Sequence, residues 1–240
     1  MVAAAETSSK ERAMTNQSED AIAQRRYEQA RPRQEVSIDP VLLDGYVGYY
    51  QLAPGAILSI TRNTTRLFAQ LTGQQAIELF PESDHEFFSK VVVAQITFAA
   101  DERGSANHLV LHQNGYERAA KRIDDGDAKT VAAELDQRVR ENTPIVGSDD
   151  ALRGHIEAMR QGQPNYEQMS EMLAQAVHRQ FSITQNDFAS LGELQSISFK
   201  GVGREGEDIY DVQFASGNTE WGIVLTPDGK IYGLSYRNLP

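Results

Sequence analysis

The sequence predicts a β-rich α+β protein, and three observations predict it. Between Tyr46 and Ile123, eight short segments rich in β-branched and aromatic residues follow one another at roughly ten-residue spacing. From Asp127 to Phe181 the apolar residues recur with a helical period. Past Leu191 the two-residue alternation of strands returns.

Taken in order, residues 1–35 are polar, and Met14, Ile22 and Tyr27 offer little to bury against the entropy cost of ordering. A mobile or marginally helical arm is expected there, with any helix over residues 19–30 stopped by Pro32. Asp39-Pro40 then reads as a helix cap followed by proline at the first helical position, giving one short turn through Leu43.

The strand segments run Tyr46 to Leu52, Ile57 to Arg62, Arg66 to Thr72, Ala76 to Phe80, Glu86 to Val91, Val93 to Ala99, Leu109 to Gln113 and Tyr116 to Ile123. Pro54-Gly55, Asn63-Thr64, Gly73-Gln74, Pro81 to Asp84, Asp101 to Ser105 and Asn114-Gly115 supply the turns. Such a series predicts an antiparallel meander that curls or closes into a barrel-like sheet over residues 36–123. Leu67, Ala69 and Leu71 would share one face and Phe68, Gln70 and Thr72 the other, and because both carry apolar residues the sheet is expected to be covered on both sides.

Residues 124–163 are expected to form a helical connector. Val131, Leu135 and Val139 repeat every four residues up to Pro144, and Ser148 is placed as the cap of a second helix carrying Leu152, Ile156 and Met159. Residues 164–240 read as a helix, from Tyr166 to Phe181, laid on a four-stranded antiparallel meander. That arrangement is a cone like those of cystatins or nuclear-transport-factor-like domains. Its strands are Gln195 to Gly201, Asp208 to Ala215, Thr219 to Thr226 and Lys230 to Arg237, with Pro227-Asp228-Gly229 as a hairpin turn.

Composition removes several function classes. A net charge of −11, from 34 acidic against 23 basic residues, disfavours nucleic acid and anionic membrane surfaces and favours a partner with a basic surface. The absence of cysteine removes thiolate nucleophiles, disulfides and cysteine-based zinc sites. No apolar run is long enough for membrane insertion. The Ala3-Ala4-Ala5 triplet resembles the tail of a trimmed signal peptide, so a periplasmic location is expected.

Motifs with catalytic spacing fail on context. Gly201-Val202-Gly203-Arg204-Glu205-Gly206 has dinucleotide-binding spacing, but a strand follows where a helix N-terminus is required, so it reads as a hairpin. His108 and His112 stand i, i+4 on a strand, too far apart to share a metal. Neither G-x-S-x-G nor S-x-x-K occurs, and Tyr236-Arg237-Asn238 stands alone as a fragment of a serine-hydrolase motif. No catalytic residue, metal site or cofactor is expected.

Several strings carry a family resemblance. YVGYYQLAPGAILSITR from Tyr46, RLFAQLTGQ from Arg66, ELFPES from Glu78, the run Glu86 to Phe98 and LVLHQNG from Leu109 resemble the domain of unknown function that follows the catalytic domain in many bacterial β-lactamase-type serine hydrolases. SFKGVG, DIYDVQF and TPDGKI, between Leu191 and Arg237, are similar to a second module of such proteins. The resemblance implies an accessory module, and it carries over no catalytic residue because the hydrolase domain has no counterpart here.

The leading expectation is therefore a non-catalytic periplasmic protein that binds another protein, as inhibitor, immunity protein or adaptor of a cell-envelope enzyme. Glu82, Asp84, Glu86, Phe87 and Phe88 are its candidate partner-binding residues, provided the outward phenylalanine of the pair is exposed. The alternative is a small-ligand pocket lined by aromatics such as Phe68, Phe87, Trp221 and Tyr232. An enzyme with an unrecognised site is the third reading.

Overall fold

The computed structural model describes residues 20–101 and 104–240. The Ala3-Ala4-Ala5 triplet, the first part of the expected arm and the centre of the Asp101 to Ser105 turn lie outside the described residues. Two compact units divide the chain, one holding it through Leu52 together with residues 56–129, the other holding residues 53–55 and 130–240.

The first unit is a closed antiparallel barrel of eight strands, β1 (Gly48–Ala53), β2 (Ala56–Asn63), β3 (Arg66–Leu71), β4 (Ile77–Pro81), β5 (Glu86–Phe88), β6 (Ala94–Ala100), β7 (Ala106–Gln113) and β8 (Tyr116–Ile123). Each strand pairs with the next in sequence, and β8 returns to β1 in the register Tyr50 opposite Arg122. A barrel of eight strands encloses just enough space for side chains to fill. Here Tyr50, Leu58, Ile60, Leu67, Ala69, Leu79, Phe87, Ile96, Phe98 and Leu109 fill it. The shared face of Leu67, Ala69 and Leu71 on β3 turns out to be the inner one, since Leu67 and Ala69 are buried and Leu71 packs against the same core.

One end of the barrel is tied by Arg122, whose guanidinium donates to the carbonyls of Gly45, Val47 and Ala106 and to the Ser105 hydroxyl. The Asp39 cap forms as expected, its carboxylate accepting the Val41 amide at 2.9 Å ahead of a 3-10 turn over Pro40–Gly45.

Strand β5 is shorter than the sequence suggests, and the difference exposes a loop. Val91 to Val93 were expected within or between strands, yet the ladder stops at Phe88. The Ser89 hydroxyl accepts the amides of Val91 and Val92, and the Ala94 amide turns back to the Val92 carbonyl. Local bonds of this kind compete with a ladder for the same amides.

Residues 20–29 form a helix, α1, on the outer face of the barrel. Apolar burial does not hold it. The Gln29 side chain accepts the Gly115 amide at 2.7 Å, while Arg25 and Arg26 donate to the Gly115 and Asn114 carbonyls. The helix lies so close that a Cβ on Gly115, at φ +81°, would come within 2.7 Å of the Ile22 carbonyl oxygen. Helix α2 (Asp125–Glu141) follows the barrel strands, its first turn capped by Asp124, which accepts the Asp127 amide at 2.8 Å.

The second unit carries α3 (Ser148–Arg160), α4 (Glu171–Leu191) and a four-stranded antiparallel sheet of β9 (Leu194–Val202), β10 (Asp208–Phe214), β11 (Gly217–Leu225) and β12 (Ile231–Asn238), in meander order. Together with the barrel, this gives the β-rich α+β fold that the periodicities predict. Leu152, Ile156 and Met159, from the stretch read as a connector, enter the core of this unit with Tyr210, Val212, Phe214, Trp221 and Ile223.

Two helix ends differ from expectation. Ser148 does not cap α3: it is fully buried with its hydroxyl 2.6 Å from the Tyr210 hydroxyl, and Gly147 holds the cap position at φ +83°. Helix α4 starts five residues late, where the Ser170 hydroxyl accepts the Leu173 amide, and runs on to Leu191 because Phe188 reaches the core. The glycine-rich string beginning at Gly201 is the β9–β10 turn, as its context predicts.

Candidate functional site

The acidic turn between β4 and β5 is fixed from inside the barrel. The Tyr46 hydroxyl donates to the Asp84 carbonyl at 2.8 Å and lies 2.7 Å from Nδ1 of His85, while its ring stacks on Phe98 at 4.4 Å. Burial, and then the nearby Asp84 charge, hold the Tyr46 hydroxyl above its ordinary pKa. Across the turn, Glu82 donates its amide to the Glu86 carbonyl, and Ser83 accepts the Glu86 amide. Asp84 and Glu86 are thereby held exposed on a rigid hairpin.

The two phenylalanines of the expected surface do not belong to it. Phe87 points inward, 1% exposed, against Tyr46 and Phe98. Phe88 points outward as alternation requires, yet it is only 5% exposed and packs against Phe80. Covering the outward ring is part of folding the barrel face, so neither ring is available to a partner.

What the same face does expose is apolar in a different place. Val91, Val92 and Val93 are 73%, 42% and 54% exposed, three consecutive β-branched residues presented by the β5–β6 loop. Single exposed apolar residues are ordinary, whereas these three form a contiguous run. Beside them Lys90 pairs with Glu35 at 2.6 Å and lies over the Phe80 ring.

Beside α1 lies a polar cleft of about 180 Å³, lined by Arg25, Glu28, Gln29, Arg33, Glu82, Glu86, Gln95, Thr97, His112 and Glu117. Strand β6 brings Gln95 and Thr97 to it, β7 brings His112, and α1 forms its rim. The chain after α1 runs beside β4, the Val36 amide donating to the Pro81 carbonyl, which places Arg33 over the acidic turn. Arg33 grips both oxygens of Glu82, at 2.8 and 3.0 Å, and donates to the Glu28 carbonyl near the end of α1. Its remaining Nε is buried without a hydrogen-bond partner among the described residues, which costs about 1–3 kcal/mol. His112 lies between Thr97 Oγ1 at 3.0 Å and Glu117 at 3.3 Å.

The aromatics of the alternative pocket do not form one. Phe68 is half-buried on the outer face of β3 in the barrel unit. Trp221, in the second unit, is stacked between Phe188 and Tyr236, with centroids at 5.5 and 4.8 Å, and its indole donates to Thr219. Tyr232 is half-buried on β12, where its carbonyl accepts the Ser170 hydroxyl. Phe68 and Tyr232 are not among the lining residues of the cleft of about 210 Å³ in the second unit, which Trp221 lines together with Tyr236 and Glu220. Among the described residues no group of three or more histidines, aspartates or glutamates is placed to hold a metal.

Glu82 and Glu86 were legible in the sequence as site candidates. Arg33, Gln95, Thr97, His112 and Glu117 were not, because they come from segments that only barrel closure and α1 docking bring together. The valine run was visible, but its exposure was not.

Residues 32–127 match the family described as "Domain of unknown function (DUF3471)". The chain is also similar to Penicillin-binding protein 4* of Bacillus subtilis (strain 168), with 30% identity over 95 residues, 40% of this chain and 21% of that protein. The chain thus spans about a fifth of the length of that relative. These matches bear out the resemblance to an accessory domain of β-lactamase-type serine hydrolases over the barrel. The later strings, from Leu191 onward, lie outside the matched residues.

Proposed function

We propose that the chain is a non-catalytic accessory module of the cell envelope that docks on another protein through the outer face of β5 and β6. The observation that carries this reading is the exposed Val91–Val93 loop that follows β5, whose other end carries the exposed carboxylates of Asp84 and Glu86. An apolar centre with a polar rim is the usual anatomy of a protein contact. The net charge of −11 adds steering toward a basic partner.

The comparison supports a partner class: a stretch of 95 residues like part of this chain makes up about a fifth of a longer penicillin-binding protein. A cell-envelope enzyme is the partner that this reading favours, with the chain as its adaptor or inhibitor. The periplasm is the compartment that suits such a role. None of the described helices is long and apolar enough to cross a membrane.

The test is photo-crosslinking from position 92 in envelope extracts of the source organism, with V91S/V92S/V93S as matched control. One protein crosslinked at position 92, and lost from capture by the triple variant, is the expected result. Identical capture by both chains, or none by either, overturns the reading.

A further inference from the structure

We propose that Asn114-Gly115 is a covalent modification site: a deamidation site that α1 holds closed, and whose isoaspartate product makes the release of α1 permanent. This goes beyond the docking reading and does not rest on it. Of the asparagines in the chain, only Asn114 precedes a glycine. A glycine there has no side chain to shield its nitrogen from the asparagine carboxamide. Asn114 is exposed between β7 and β8 with φ +56°, while Gly115 is buried against α1 at φ +81°.

The chemistry needs only water. The Gly115 nitrogen attacks Cγ of Asn114 and closes a succinimide ring, and the side-chain nitrogen leaves as ammonia, taking the proton that the Gly115 nitrogen gives up. Water then opens the ring at one carbonyl or the other, leaving aspartate or isoaspartate at position 114. Nothing is oxidised or reduced.

With α1 seated, both the nucleophile and its approach are blocked. The Gly115 N–H is committed to Oε1 of Gln29 at 2.7 Å, and Gln29 is itself buried. Attack also needs rotation about the Cα–C bond of Asn114, which swings the peptide joining the two residues. Arg26 Nε holds that peptide by the Asn114 carbonyl at 2.9 Å, and Arg25 Nε holds the Gly115 carbonyl at 2.7 Å. All three clamps come from one helix, so they are lost together when it lifts. Local openings of this kind need less free energy than global unfolding and admit chemistry that the closed state excludes. Isoaspartate lengthens the main chain by a methylene, which carries the Gly115 amide and carbonyl away from Gln29 and Arg25 and keeps α1 from reseating.

The experiment keeps the whole chain, its Gln29→Ala variant and its R25A/R26A variant at mildly alkaline pH, both folded and in urea, and follows residue 114 by peptide mapping with mass spectrometry. The folded native chain is expected to deamidate at least about tenfold more slowly than the same chain in urea. Each variant should react several-fold faster than the native chain when folded, and at the native rate in urea. Amide hydrogen exchange in β2 and β3 is measured on the same samples. Equal rates for the native chain folded and in urea, or folded variants no faster than the native chain, overturn the proposal. Faster reaction accompanied by lost exchange protection in β2 and β3 also overturns it, because barrel unfolding and not α1 would then be the gate. The isoaspartate fraction of the native chain, separated by chromatography, should be cut by trypsin at Arg25 and Arg26 several-fold faster than the unreacted fraction; equal cutting overturns the permanent release.

Discussion

Arg138 and Asp208 form a half-buried ion pair in the second unit, with Nη2 2.6 Å from Oδ1, Asp208 fully enclosed and Arg138 partly exposed. The other carboxylate oxygen accepts the Ile145 amide at 2.8 Å, so both oxygens are used. Such a pair fixes the loop before α3 against the start of β10.

Breaking that pair is expected to be costly. Asp208→Ala leaves the Arg138 guanidinium and the Ile145 amide without their acceptor, and should lower stability by about 3–5 kcal/mol. Asp208→Asn keeps an acceptor for one of them and should cost less. Urea unfolding of the two variants, followed by Trp221 fluorescence, checks the order.

His155 makes the second unit acid-sensitive. It is 8% exposed beside Trp221, its Nδ1 has no partner among the described residues, and burial pushes its pKa from 6.5 down to about 4. The unfolded chain therefore takes up the proton first as pH falls. The stability contribution is complete above about pH 6.5 and is lost as pH drops from there to about 4, by roughly 3 kcal/mol at most. In His155→Leu the urea midpoint should lose this part of its pH dependence; an unchanged profile would assign the sensitivity elsewhere.

Tyr46 links the barrel core to the acidic turn. Tyr46→Phe keeps the stack on Phe98 but removes the hydrogen bonds to Asp84 and His85, at a cost of about 1 kcal/mol. Hydrogen exchange should quicken at the Glu82 and Phe98 amides, which close the turn, more than at β2 or β7. Phe98→Ala, which empties the stack, should instead cost about 3–5 kcal/mol and affect the whole barrel.

Gly115 controls the docking of α1. Gly115→Ala adds a Cβ at positive φ, where an ordinary residue costs about 1–2 kcal/mol, and drives it against Ile22. Trypsin should then cut at Arg25 and Arg26 several-fold faster, while the barrel's urea midpoint falls by no more than the roughly 1–2 kcal/mol of turn strain accounts for. Equal cleavage rates would mean that α1 is held by other contacts.

Much of the architecture is written locally. Alternation such as Leu67-Phe68-Ala69, the turns at Asn114-Gly115 and Pro227-Asp228-Gly229, and the Asp39-Pro40 cap depend on neighbours a few residues away, so the sequence by itself determined the strands, their antiparallel order and the switch to helices. It also determined that the glycine-rich string is a turn, because a strand follows it. Tertiary structure decided everything that needed two distant segments to meet. Closure of β1 on β8, burial of the outward Phe88, release of Val91–Val93 from the ladder and the seating of Arg33 on Glu82 each pair residues that no local pattern relates. Polar docking explains α1 for the same reason: its stability lies in hydrogen bonds to the Asn114-Gly115 turn, nearly ninety residues away, and not in its own sparse apolar content.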